Sequence, residues 1–146
     1  MIAIGSDHGG YALKQAIMAH LGKRGLAYKD FGTYSEASCD YPTYAKAVAH
    51  AVANAVAHGE CERGILICGT GIGVSITANK IPGIRAALCG DCFSAEATRL
   101  HNDANVLCMG ARVVGEGLAL KIADIFLDTP FSEDERHKRR ISMIEG

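Results

Sequence analysis

No charge of one sign dominates this 146-residue sequence: 15 Lys and Arg stand against 16 Asp and Glu, a formal net charge of −1. The strong basic field of a dedicated nucleic-acid binder is therefore missing, and no nucleic-acid partner is expected. No apolar run approaches the roughly 20 residues that cross a bilayer. The opening Met1-Ile-Ala-Ile-Gly-Ser-Asp-His turns polar after four residues, unlike a secretory leader. Neither membrane insertion nor secretion is expected, and the expected compartment is the cytoplasm. Repeats of solenoid period, low-complexity stretches and long linkers are lacking as well, which leaves residues 1–146 to be read as one domain. Six cysteines (Cys39, Cys61, Cys68, Cys89, Cys92, Cys108) would permit three disulfides. A chain of this length buries about two thirds of its unfolded surface, and 49% hydrophobic residues supply the core, so no staple is needed. The cysteines read as thiols in a reducing compartment.

What the chain does contain is short apolar runs alternating with segments of helical period, the pattern of strand-helix units on a mainly parallel sheet. The class is α/β. Met1 to Gly5 reads as a strand, and Leu13, Ile17 and Leu21 then recur at helical spacing. Ala27 to Phe31 is a weaker strand before the polar loop Gly32 to Asp40. Tyr41 to His58 reads as an alanine-rich helix that tolerates Pro42 in its first turn. The run Ile65-Leu66-Ile67-Cys68 is continuous, as in a strand covered on both faces, and stops at Gly69-Thr70-Gly71-Ile72-Gly73 before a helix to about Asn79. Arg85 to Cys89 with Ser94 to Asn102, and Val106 to Met109 with Gly115 to Leu127, make two more units. Beyond Pro130 a charged helix is expected over about 133–145. Five strands in this pattern give a three-layer αβα sandwich with its ligand beyond the carboxyl ends of the strands, next to Asp7 and His8, Cys68 to Gly73, and Asp91 to Ser94.

The Gly69 to Gly73 turn joins a buried strand to a helix, so its N–H groups suit a negatively charged oxygen; a tight turn without a ligand is the plainer alternative. A dinucleotide fingerprint fails on spacing, because Val74 and Ile76 stand where its third glycine belongs, and no GK[ST] follows to make a P-loop. Cys68, immediately before this turn, is either a thiolate favoured by the adjacent N–H donors or a small hydrophobe ending a buried strand. Thr70 stands two residues on, within reach of a thiolate or a substrate oxygen. Cys89-Gly90-Asp91-Cys92 is a CxxC without the second pair that a structural zinc site needs, and reads as coincidence. Asp7-His8 and His101-Asn102 are polar pairs expected near the ligand edge, where a histidine exchanges protons with a hydroxyl or ring oxygen or simply caps and faces solvent. His20, His50 and His58 read as ordinary helix-surface residues. Arg136 and Arg140, four residues apart on one helical face, suit bidentate capture of a phosphate; a solvated charge run is the alternative.

Six segments in this order resemble the ribose-5-phosphate isomerase B family, whose wider group includes galactose-6-phosphate isomerase subunits. They are Gly5-Ser-Asp-His-Gly-Gly10, Asp40-Tyr-Pro-Thr-Tyr44, Cys68-Gly-Thr-Gly-Ile-Gly73, Arg99-Leu-His-Asn-Asp103, Gly110-Ala-Arg-Val-Val-Gly115 and Arg136-His-Lys-Arg-Arg140. The resemblance implies an aldose-ketose isomerase without metal or other cofactor, on a Rossmann-like, flavodoxin-like parallel sheet of five strands. It also implies a homodimer, or a tetramer of such dimers, with active sites at the subunit interface and the C-terminal helix there. On the matching positions, Cys68 would be the base that moves a proton between C2 and C1 of the opened sugar. Thr70 would shuttle protons between the oxygens, the turn Gly69, Gly71, Ile72 and Gly73 would bind the enediolate, and His101 would open the ring. Asp7, His8, Tyr44 and Asn102 would contact the sugar, and Arg112, Arg136, His137 and Arg140 the phosphate. The implied reaction interconverts ribose 5-phosphate and ribulose 5-phosphate, in the non-oxidative pentose phosphate pathway. A six-carbon substrate (allose 6-phosphate or galactose 6-phosphate) and a non-catalytic sugar-phosphate sensor are the alternatives. A redox role for Cys89 and Cys92 is a more distant one.

Overall fold

The computed structural model describes residues 1–55 and 61–146. The strands are β1 (Ile2–Ser6), β2 (Tyr28–Asp30), β3 (Arg63–Cys68), β4 (Ala86–Leu88) and β5 (Val106–Gly110). The α-helices among the described residues are α1 (Tyr11–Lys23), α2 (Tyr41–Ala53), α3 (Ile72–Ala78), α4 (Cys92–Asn102), α5 (Glu116–Asp128) and α6 (Glu135–Glu145), and a 3-10 turn at His8–Gly10 links β1 to α1. The element order agrees with the alternation in the sequence. Helix α2 has its C-cap at Asn54, and the expected continuation to His58 lies outside the described residues. Helix α4 starts two residues before Ser94, because the Asp91 carboxylate accepts the Ser94 N–H at 2.6 Å and caps the first turn.

All five strands pair in parallel, in the order β2-β1-β3-β5-β4. A simple flavodoxin-like winding would run 2-1-3-4-5. Here β5 is inserted between β3 and β4, and burial explains the exchange. Val106–Gly110 is buried throughout and needs neighbours on both sides, whereas Ala86–Leu88 is short and partly exposed and takes the edge. The sheet alternates faces with period two. Ile2, Ile4, Ile65, Ile67, Leu107 and Met109 pack under α1, α4 and α5. On the other face Ala3, Leu66, Cys68, Val106 and Cys108 pack under α2 and α3. No helix among the described residues is long and apolar enough to cross a membrane.

From β1 the chain winds to one side through α1 to β2, then returns through α2 to β3 on the other side of β1. Between the carboxyl ends of β1 and β3 the connections diverge and leave a crevice. The register Ser6↔Ile67 and the Asp7 N–H to Ile67 carbonyl bond, 3.2 Å, set Asp7 at the level of Cys68.

Two buried cations fasten the layers. Arg99 donates to the Asp103 carboxylate (2.8 Å) and to the carbonyls of Ala104 (2.6 Å) and Thr129 (3.1 Å), with its guanidinium over the Phe126 ring. That ties the end of α4 to the end of α5. Lys14, fully buried on α1, pairs with Asp30 at 2.6 Å. Removing one such group leaves its partners desolvated and unpaired, which costs more than the pair contributes. The Phe126→Ala variant should lose about 3–5 kcal/mol through the cavity and the lost burial. A lower urea midpoint at unchanged slope would show it, and a loss below about 1 kcal/mol would contradict this packing.

Candidate active site

The crevice opens into a shallow pocket of about 480 Å³ lined by Asp7, Tyr41, Cys68, Thr70, Ile72 and Arg112, among others. Cys68 ends β3 and is 5% exposed. The Gly71 N–H points at its sulfur, 3.1 Å away. The geometry requires glycine at this point: Gly71 is the N-cap of α3 with φ +79°, and a Cβ would sit 2.5 Å from Leu88 Cδ1 and 2.7 Å from the Met109 carbonyl carbon. The Thr70 hydroxyl oxygen accepts the Ile72 N–H at 3.2 Å, which leaves its own hydrogen to donate elsewhere. Two bonds beyond the end of β5 hold the turn in place, Ala111 N–H to the Cys68 carbonyl (2.9 Å) and Arg112 N–H to the Gly69 carbonyl (3.0 Å). The second brings the Arg112 guanidinium against Gly69, where a Cβ would be 3.4 Å from Nη1.

Asp7 is nearly buried, and its Oδ1 accepts the Gly10 N–H at 3.1 Å. Its other oxygen has no hydrogen bond within the described residues. His8, on the turn that follows, is not among the residues lining the pocket, and its Nδ1 accepts the Cys39 N–H at 3.2 Å. Tyr44 packs its ring against Gly32, and the tyrosine that lines the pocket is Tyr41, whose ring lies 2.5 Å from a Cβ placed on Gly73. Sequence reading missed Tyr41. The signal available was its place at the start of α2, directly after the loop that returns to the carboxyl edge.

His101, Asn102, Arg136, His137 and Arg140 are not in this pocket. The expectation that His101 and Asn102 lie near the ligand edge is corrected by the sheet register. Val106 pairs with Gly64 and Gly110 with Cys68, so the end of α4, just before β5, stands at the opposite edge. Four residue steps along the strand separate the two edges, about 13 Å at 3.3 Å per residue. A helix that connects parallel strands must run back against them, so the residues after α4 return to the amino edge. There the His101 and His137 rings meet at 4.6 Å between centroids. His137 is buried, with Nδ1 3.0 Å from the Ser132 hydroxyl. Desolvation first, then the neighbouring His101 and Arg136, pushes the His137 imidazolium to titrate below the usual histidine range. Asn102 accepts from Thr98 through its side chain (3.1 Å) and from Arg85 through its carbonyl (2.9 Å). Among the described residues Arg136 pairs with Asp134, at 3.6 Å, and is mostly exposed.

Asp91 and Ser94, also named from the strand ends, form a helix cap. Cys89 is buried, and desolvation with the nearby Asp91 pushes its thiol up to about 11. Cys108, in the sheet centre, is pushed up further, again by desolvation. Among the described residues Cys39, Cys68, Cys89, Cys92 and Cys108 form no disulfide. No group of three or more His, Cys, Asp or Glu among the described residues is placed to hold a metal ion.

A sheet of this winding is shared by known proteins. The family described as Ribose/Galactose Isomerase matches residues 2–144. Ribose-5-phosphate isomerase B of Escherichia coli is 51% identical over 143 residues, 98% of this chain and 93% of the relative. The solved structure of ribose-5-phosphate isomerase B from Clostridium thermocellum superposes with a TM-score of 0.92 at 53% identity, over 99% of this chain and 94% of that one. That of Mycoplasma genitalium ribose-5-phosphate isomerase B with bound ribulose-5-phosphate gives 0.91 at 42% identity, over 99% and 93%. The chain belongs to the ribose/galactose isomerase family. It is an isomerase, on the α/β fold that its sequence pattern implied.

The environments of the thiols separate them. At pH 8 a thiol at about 11 is ionised in about one molecule per thousand, so Cys89, and Cys108 with it, should resist iodoacetamide in the native protein and react after unfolding. Peptide mass spectrometry reads this directly, and rapid native labelling of either would contradict their burial.

Proposed function

We propose that the protein interconverts ribose 5-phosphate and ribulose 5-phosphate, with Cys68 as the base and a second copy of the chain completing the site. The observation that carries this reading is the buried Cys68 sulfur facing the Gly71 N–H at the head of a pocket that also holds Asp7, Thr70 and Arg112. In support, a relative with nearly the same fold has been solved with ribulose-5-phosphate bound.

In the opened aldose the Cys68 thiolate takes the proton from C2, and the electron pair moves to form the C1–C2 double bond of an enediolate. The proton returns to C1 while the Thr70 hydroxyl passes a proton between O1 and O2, so that atoms balance with no oxidant or reductant. The Gly71 and Ile72 amides are engaged inside the turn, on Cys68 and Thr70. The developing oxyanion falls to the amides of Gly69 and Gly73. Arg112 supplies one cation for the phosphate.

One chain holds only half of the machinery. His101, to open the sugar ring, and Arg136 and Arg140, to grip the phosphate, stand at the far edge of the sheet. A two-fold axis that sets the amino edge of one copy against the carboxyl edge of the other joins the halves twice over. His137 then serves as a packing partner of His101, and Asn102 approaches the sugar from the second copy. The protein works as a homodimer in this reading, with α6 at the interface.

Ribulose 5-phosphate should appear when the purified protein is given ribose 5-phosphate in excess EDTA, and Cys68→Ala should cut kcat by about 10²–10⁴ while ligand affinity stays. Absence of turnover in the wild type would shift the substrate to six-carbon sugar phosphates, and retained turnover in the variant would exclude Cys68 as base. Mixing inactive Cys68→Ala with inactive His101→Asn should restore about a quarter of wild-type activity, because half of the dimers are then mixed and each has one whole site. Failure to complement, with mixed dimers confirmed by mass spectrometry, would exclude the shared site.

A further inference from the structure

Outside the groups just used, a buried polar assembly lies beneath the loop of residues 31–40. Lys14 is fully buried, and its ammonium donates to Asp30 Oδ1 at 2.6 Å and to the Thr33 carbonyl. The rings of Tyr11 and Tyr34 stand 5.6 and 5.4 Å from it. Asp30 Oδ1 also accepts the Gly32 N–H at 2.9 Å, and the Asp30 carbonyl accepts the Tyr34 hydroxyl at 3.1 Å. The same stretch is laced to the end of β1, Ser6 N–H to the Gly32 carbonyl (2.7 Å) and Thr33 N–H to the Ser6 carbonyl (2.6 Å). A lysine without solvent is costly, and these partners fix the loop that satisfies it. The isomerisation uses neither Lys14 nor Asp30.

The loop ends at Cys39, whose backbone N–H meets His8 Nδ1 at 3.2 Å. A backbone amide only donates, so Nδ1 is an acceptor and carries no hydrogen. The Cys39 thiol, 3.8 Å from the same nitrogen, is at most a second donor. The proton of the ring is thereby confined to Nε2, which has no hydrogen bond within the described residues. His8 follows Asp7 directly, and the next residue, Gly9, lies so close to the catalytic turn that a Cβ on it would be 3.5 Å from the Gly69 amide nitrogen.

We propose that the Lys14-anchored loop, through the Cys39 amide, locks His8 in the Nε2–H tautomer, so that His8 meets the substrate as a hydrogen-bond donor to an acceptor oxygen. Lys14 and the Cys39 amide are positioning residues, and the contact with substrate is made by His8. The part of this inference that concerns substrate rests on the sugar-phosphate reading above. Its physical content is selectivity: a ring confined to donating binds phosphate, ring or carbonyl oxygens and discriminates against a group that can only donate. The Cys39 side chain has no role in it, because any residue other than proline supplies the same amide.

Long-range ¹H–¹⁵N NMR of the labelled wild type, with the His8 signals identified by their loss in His8→Asn, reads the tautomer without reference to turnover. A single Nε2–H pattern at pH 7.5 is expected. Cys39→Ala should keep it, and Cys39→Pro, which removes the N–H and also fixes φ near about −65°, should give a mixture of tautomers. The proline variant should raise KM for the sugar phosphate several-fold, with kcat changed by less than about threefold. A wild-type ring with hydrogen on Nδ1, or averaging between the two forms, would overturn the proposal even if Cys39→Pro did not fold. So would a Cys39→Ala ring that loses the pattern. A locked ring in a protein that turns over no sugar phosphate would overturn the functional reading and leave the lock standing.

Discussion

The parallel pairing of β1 with β3 is the constraint on which the rest depends. It places Asp7 beside Cys68, and it creates the crevice by sending the connections of the two strands to opposite sides. The same parallel rule has a second effect. Every helix must return against the strands, so whatever the chain adds after a helix appears at the wrong edge for the pocket. His101 and the arginines of α6 are therefore separated from Cys68 by topology. In the dimer proposed above, a second copy brings the amino edge of one chain to the pocket of the other.

The fold was largely legible from the sequence. Continuous apolar runs such as Ile65 to Cys68 declared a sheet covered on both faces, and glycine-rich junctions marked where strands end. The insertion of β5 between β3 and β4 was not legible, because pattern shows burial and length but not neighbours. Short, partly exposed Ala86–Leu88 could have been assigned to the edge on those grounds.

The pocket divides in the same way. Cys68, Thr70 and Asp7 are local to strand ends and were found by position. Tyr41 was passed over in favour of Tyr44, since the face of a helix that meets a glycine three elements away is a tertiary fact. Asp91 and Ser94 looked like ligands because caps and anion sites draw on the same residue types, and only the bond from Ser94 to Asp91 tells them apart. The loop over Lys14 gave no signal at all: a lysine in an amphipathic helix reads as surface, and its burial depends on Asp30 and on the Thr33 carbonyl, 16 and 19 residues away.

Helix α6 is held at both of its ends, by the Ser132–His137 contact next to α4 and by the ion pair of Arg85 with Glu145 at 2.7 Å. Arg85 also grips the carbonyls of Asn102 and Asp103, both at 2.9 Å. Helix α6, which carries the arginines, is thus fastened to the end of α4, which carries His101. In the proposed dimer this piece faces the Cys68 turn across the interface. The span between Arg136 and Arg140 of one copy and the Cys68 sulfur of the other, with Arg112 on the sulfur's side, is then a calliper whose jaws belong to different molecules, and the docking of the copies sets the sugar length it accepts.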